Sequence, residues 1–249
     1  MKDRNKYEVN FICILSVLLT SLPLCFSGIE GHFGQDLGFH LNRIEGIYLE
    51  LKNGVFPVRM QSFWMDGYGY PVSIYYGDTF LYFPALLRLM GVNVVAAYKI
   101  FLFLINVLTV FVTRYCLERI FVSAKPLDED LYHRQRRYAA LGTLVYVTGN
   151  YRLLNLYIRA AVGEYTAMLF LPLIALAVYL LYEKDTADKT CRAAIIPLVI
   201  GMSGILESHM MTLEMVCIVL GVICVFRWKK TFRKETFFVF FFGAVLTVL

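Results

Sequence analysis

The chain has 249 residues, of which 59% are hydrophobic and 17% charged, and its mean hydropathy is +0.61. That composition excludes an ordinary soluble domain and points to a polytopic membrane protein. Its net charge of +5 comes without any interleaving of aromatic and basic residues, so no nucleic-acid partner is indicated.

Apolar runs recur along the chain at residues 9–28, 92–113, 138–149, 165–182, 193–206, 210–226 and 237–249. Several approach the ~20 residues that a bilayer demands, and others fall short. The expected fold is therefore all-α, a single transmembrane helix bundle over residues 1–249. A basic start, an apolar core and Ser27-Gly28 also fit a signal peptide, but the first run has spanning length, which favours a retained helix. Between the first two confident runs lies a long polar connection, residues 29–91, and a connection that long in a compact bundle is usually functional.

Within that connection, residues 36–51 have helical periodicity. Asp36, His40 and Arg43 share one face, while Leu37, Leu41, Ile44, Tyr48 and Leu51 form a separate apolar stripe. Such a helix can lie on a bilayer with its polar groups at headgroup height. Gly54 and Pro57 end it. The stretch from Trp64 to Tyr76 has glycines and a proline that mark turns, and its aromatics suit a membrane–water boundary. Residues 79–90 predict a second interfacial or re-entrant helix. The runs at 193–206 and 210–226 fit either one broken helix or two helices with a turn near His209.

Basic residues set the expected orientation. Of the 24 lysines and arginines, 17 fall in alternate connections assigned to the cytoplasm. These are Lys2, Arg4 and Lys6; Arg114, Arg119, Lys125, Arg134, Arg136 and Arg137; Lys184, Lys189 and Arg192; and Arg227, Lys229, Lys230, Arg233 and Lys234. The N-terminus is then cytoplasmic, and Asp36, Asp66, Arg159 and His209 face outward. The last run rises only ~20 Å as a helix against a hydrocarbon core of ~30 Å, which leads the sequence reading to expect further spans after Leu249.

Six cysteines and four isolated histidines supply neither a CxxC pair nor an HExxH motif, so no zinc site and no disulfide framework are indicated. The polar stretches are more specific. Gly34-Gln35-Asp36-Leu37-Gly38-Phe39-His40-Leu41-Asn42-Arg43-Ile44, Gly54-Val55-Phe56-Pro57-Val58-Arg59, Gly67-Tyr68-Gly69-Tyr70-Pro71, and the run from Tyr151 to Glu164 resemble one family. These are the bacterial multipass membrane proteins labelled "6-pyruvoyl-tetrahydropterin synthase-related", which are similar to YfhO-type proteins. The resemblance extends from Val9 to about Thr212. The label is not a guide to chemistry, because the soluble pterin synthase needs a zinc-binding histidine set that this chain lacks.

What the resemblance implies is the GT-C architecture of lipid-linked glycosyltransferases, with a long first outer loop carrying interfacial helices and an acidic residue soon after the first span. Asp36 matches that position. It is flanked by Gln35 and Leu37, so the Asp-x-Asp or Glu-Asp pair is missing, and a divalent metal is not indicated. Transfer of sugar from a polyprenyl-phosphate donor needs a base and a cation for the departing phosphate. Asp36 and Glu164 are the candidate catalytic carboxylates. Arg43, Arg152 and Arg159, whose guanidinium forks suit phosphate, and His40 and His209 are the candidate substrate-binding residues. On an α-helix Arg152, Asn155 and Arg159 share a face.

Each residue also has a plainer role. Asp36 can cap a helix, Glu164 can favour a helix dipole, Arg152 and Arg159 can pair with Glu164 or lipid headgroups, and Asn106 can bond a neighbouring helix. Three function classes stay open: a transferase acting at the outer face, a transporter or flippase of lipid-linked substrates, and a non-catalytic assembly protein. A transporter needs ionisable residues deep in its spans, and the central positions of the apolar runs hold almost none.

Overall fold

The computed structural model describes residues 2–26, 34–122, 128–182 and 188–248. Ser27, Gly28, Lys125 and Lys184 lie outside the described residues. The described part is all-α, its one non-helical pairing being an isolated bridge between Gln61 and Tyr70.

In chain order the helices are α1 (Lys2–Phe26), α2 (Leu37–Lys52), α3 (Val72–Tyr75), α4 (Tyr82–Leu89), α5 (Val94–Phe121), α6 (Glu129–Val147), α7 (Asn150–Leu154), α8 (Val162–Ala167), α9 (Leu171–Tyr182), α10 (Asp188–Ala193), α11 (Ile195–Leu206), α12 (Met210–Phe226), α13 (Trp228–Thr231) and α14 (Lys234–Val248). Three stretches are long and apolar enough to cross a membrane: Tyr7–Cys25, Val94–Phe121 and Val162–Tyr182. The runs expected at 193–206 and 210–226 form two shorter apolar helices, separated by a turn at Glu207–His209 rather than joined in one broken rod. A membrane association follows from these apolar helices.

α5 is the central rod. Asn93 caps it, its side chain accepting from the Ala96 amide at 2.8 Å, and it buries Phe101, Leu102, Ile105, Asn106 and Thr109 against α1, α6 and α9. Near Pro23, which interrupts the hydrogen-bond ladder of α1, the Thr20 carbonyl accepts from Asn106 Nδ2 at 2.8 Å and from Tyr157 Oη at 2.7 Å. Asn106 thus joins α5 to a neighbouring helix. At the far end of α5, Glu118 accepts from Arg114 at 3.1 Å and Arg136 at 3.4 Å, and Glu8 accepts from Arg137 at 3.3 Å. Basic side chains therefore bind α1, α5 and α6 together at the end opposite the long connection.

The long connection is a folded roof. α2 packs on α4 and α5, and Arg88 of α4 forms a two-point ion pair with Glu45 at 2.8 and 2.9 Å. Glu50, buried on α2, accepts from the Ser62 amide at 2.8 Å, and Gln61 accepts from Trp64 Nε1 at 2.7 Å. Gly46 leaves room for this hairpin, because a Cβ there would strike the Gln61 side chain.

The roof corrects the expected placement of α2. A helix lying on a bilayer leaves one face in water and the other in lipid. Here His40 and Arg43 are buried, as are Leu37 and Ile44 of the apolar stripe, while Leu41, Tyr48 and Leu51 pack against the core as partly buried residues. Neighbouring helices and the Gln61–Tyr70 hairpin cover both faces.

Candidate functional site

α2 begins where the sequence suggests, but Asp36 does not cap it through its side chain. Its backbone sits at φ −103°, ψ 3°, outside the extended region from which a capping carboxylate reaches the first amides. The carboxylate is exposed and has no hydrogen-bond partner among the described residues. The backbone does the anchoring instead. The Asp36 amide donates to the Arg159 carbonyl at 2.9 Å, and the Gln35 amide to the Ile158 carbonyl at 3.3 Å. Gly34, at φ +87°, is pressed so close to Ala160 that a Cβ there would overlap the Ala160 side chain.

The segment that receives Asp36 is irregular. After α7 the chain makes one π-turn over Asn155–Arg159, then Ala160 adopts a left-handed conformation at φ 54°, ψ 35°. π-turns and non-glycine left-handed residues are uncommon and gather at functional sites. This turn also corrects the expected shared face of Arg152, Asn155 and Arg159. A π-turn is wider than an α-turn, so spacing that aligns these residues on an α-helix does not hold across it.

Asn155 and Arg159 stay together, with Asn155 Oδ1 accepting from Arg159 Nη1 at 2.7 Å. Arg159 also donates to Glu164 at 2.8 Å, and Tyr151 Oη donates to the same carboxylate at 2.5 Å. Arg152 turns inward and is 3% exposed. It donates to the Val147 carbonyl at 3.2 Å, to Asn106 Oδ1 at 3.1 Å and to Thr109 Oγ1 at 3.1 Å, and it lies over the Tyr165 ring at 4.3 Å.

Arg43 is 1% exposed and spans the gap between α2 and the chain after α3. It pairs with Asp78 and donates to the Gly77 carbonyl at 2.8 Å, with its guanidinium over the Tyr76 ring at 4.3 Å. Its Nη1 faces His40 Nδ1 at 3.4 Å, an arrangement that places the proton of the neutral imidazole on Nε2. Burial lowers the His40 pKa to about 3, with Arg43 and His209 adding to the shift, so the ring is neutral.

Tyr76 is the hub. Its ring centroid lies 6.1 Å from those of Phe39 and His40 and 6.3 Å from that of His209. Burial raises its phenol pKa; Arg43 opposes that shift, and Asp36 and Glu164 add to it. His209 caps α12, its Nδ1 accepting from the Thr212 amide at 3.3 Å, and burial lowers its pKa against the pull of Glu164. Two glycines permit the seam. A Cβ on Gly77 would strike the Glu207 carbonyl, and one on Gly163 the Ser208 carbonyl, while Thr79 Oγ1 donates to Glu207.

Asp36, His40, Arg43, Arg159, Glu164 and His209 thus gather around Tyr76 at one end of the bundle, and Arg152 does not join them. Tyr76, Asp78, Tyr151 and Glu207 belong to the same assembly and were not among the sequence's candidate site residues, although Tyr151 opens one of the stretches that carry the resemblance. The Tyr-Gly-Asp order at 76–78 offers only a turn signal. Among the described residues no group of three or more histidine, cysteine, aspartate or glutamate side chains is placed to hold a metal ion, and the six cysteines are free thiols. Comparison with family models, with curated proteins and with solved structures finds no match for this chain.

Proposed function

We propose that the protein is a polytopic membrane protein of GT-C-like architecture that transfers sugar from a polyprenyl-phosphate carrier at the extracytoplasmic face. Its N-terminus is then cytoplasmic and its roofed end faces outward. The observation that carries this proposal is the Asp36 carboxylate, exposed and uncommitted, held by its own backbone against the segment that bears Arg159 and Glu164. An uncommitted carboxylate can take a proton from an acceptor hydroxyl, and Arg159, partly exposed on that segment, is the cation to meet the departing phosphate.

Glu164 has a different part. With Arg159 and Tyr151 both donating to it, its carboxylate orients Arg159 instead of acting as a second base. Arg43 is committed to Asp78 and shapes the wall. The test is incubation of the full chain in native lipid with candidate polyprenyl-phosphate sugars, scored for transfer by mass spectrometry. A transferred sugar supports the proposal, and no transfer across the donor series counts against it.

One observation favours the transporter or flippase alternative. Arg152 is an ionisable residue buried against Asn106 and Thr109, well inside α5, where the sequence promised almost none. Flipping of a fluorescent lipid-linked substrate in proteoliposomes, lost in Arg152→Gln, would select that alternative.

A further inference from the structure

The turn that joins α12 to α14 is densely basic. Residues 227–235 hold Arg227, Lys229, Lys230, Arg233 and Lys234 against a single carboxylate, Glu235, whereas residues 183–192 balance Glu183, Asp185 and Asp188 with Lys184, Lys189 and Arg192. α13 aims part of that charge outward. Lys230 Nζ donates to the Tyr182 carbonyl at the end of α9, and Thr231 Oγ1 lies 3.0 Å from Tyr182 Oη and donates to the Cys224 carbonyl at 3.0 Å. These bonds make Lys230 and Thr231 the inward side of the turn, and the Phe232 amide continues its helical bonding to the Trp228 carbonyl at 3.1 Å.

At about 100° per residue, Lys229 and Phe232 fall roughly 150° from that inward side, with Trp228 and Arg233 flanking them. Trp228, Lys229, Phe232 and Lys234 are accordingly exposed, and Arg233 is half-buried. Among the described residues the Lys229, Arg233 and Lys234 side chains have no ion pair, while Lys230 is spent on α9 and Arg227 has a contact of its own. Three cations therefore remain for a ligand.

The surroundings select its chemistry. α12 and α14 leave the turn as apolar helices, with Val222, Val225 and Phe226 exposed before it and Phe237 and Phe241 exposed after it. Cations at the boundary of apolar surface match an anionic lipid, whose phosphate meets ammonium and guanidinium groups while its acyl chains cover the flanks. A soluble acidic partner would leave those flanks uncovered.

We propose that the turn between α12 and α14 binds an anionic phospholipid of the phosphatidylglycerol type, its phosphate on Lys229, Arg233 and Lys234. This rests on membrane association alone, and neither sugar transfer nor the sidedness of the bundle enters it.

The experiment is native mass spectrometry of the full chain released from nanodiscs of equimolar phosphatidylglycerol and phosphatidylethanolamine, with the melting temperature of each sample recorded. Wild type is expected to retain phosphatidylglycerol over phosphatidylethanolamine. Lys229→Gln should lower that preference about fivefold, the factor one surface cation supplies, without moving the melting temperature, and Lys229→Arg should keep it. Lys230→Gln removes the same charge from the inward side, so it should lower the melting temperature and change the preference by less than about twofold. The two Lys229 variants decide the matter if Lys230→Gln does not fold. A wild type without the preference, a preference unchanged in Lys229→Gln, or equal losses in Lys229→Gln and Lys230→Gln overturns the proposal, and the first of these leaves the turn to a soluble acidic partner.

Discussion

Arg43 and Arg152 are almost equally hidden, at 1% and 3% exposure, and differ in what answers their charge. Arg43 meets the Asp78 carboxylate, 35 residues further along the chain, and that pair fastens α2 to the chain after α3 within the roof. Arg152 meets only neutral acceptors and the face of Tyr165. It belongs to a hub in which Asn106 also accepts from Tyr165 and donates to Thr20 and Ser21 of α1. One guanidinium shapes the wall of the candidate site and the other joins helices beneath it. Neither presents itself to the surface, and in the proposed function the phosphate falls to Arg159, which the sequence could not separate from the other two.

The contrast breaks most easily at Asp78. Asp78→Ala leaves Arg43 buried with no carboxylate, so unfolding in detergent micelles should show a loss of about 3–5 kcal/mol. The double variant Arg43→Met, Asp78→Leu should recover much of it. A single-variant cost no larger than that of Arg152→Met would mean the two settings are equivalent.

Gly77→Ala comes next. Its new Cβ must displace the Glu207 carbonyl, a backbone atom with little freedom, and a cost of about 1–3 kcal/mol is expected. Thermal unfolding measures it, and an unchanged melting temperature would show that the seam yields freely. Arg152→Met removes a donor whose partners are uncharged, which predicts a smaller loss of about 1–2 kcal/mol in the same assay.

Acid sharpens the comparison from another side. His40 has its folded pKa lowered to about 3, whereas the unfolded chain titrates near 6.5. Between those values the unfolded state binds the proton and the folded state does not. Stability is therefore flat above pH ~6.5 and falls as pH drops toward ~3, by up to about 1.4 kcal/mol per pH unit. His209, lowered in the same direction, steepens the fall. His40→Gln, which keeps an acceptor for Arg43, should flatten the curve of melting temperature against pH. A profile independent of the substitution would count against a buried neutral His40.

The extent of α2 was legible because its periodicity and its Gly54 and Pro57 stop signals are local. The grouping of Asp36 with Arg159, Glu164 and His209 was only conceivable from spacing. The residues that produce it, Tyr76 and Asp78, act across long separations and depend on Gly77 and Gly163 allowing backbones to touch. The helical face assigned to Arg152 and Arg159 failed at the π-turn, since nothing in residue spacing marks where a turn widens. Asp36 has the side chain of a good cap, but its backbone dihedrals deny it the role, and dihedrals are set by the docking on Arg159.

The smallest structural effect belongs to the residue given the largest chemical part. Because the Asp36 side chain bonds to no described backbone amide, Asp36→Asn should change stability by less than about 0.5 kcal/mol. The most direct measurement is sugar transfer by this variant in native lipid, with its melting temperature recorded on the same sample. We expect transfer to be lost while melting is unchanged, since asparagine keeps the shape but cannot accept the acceptor's proton. Full transfer by Asp36→Asn would contradict the account.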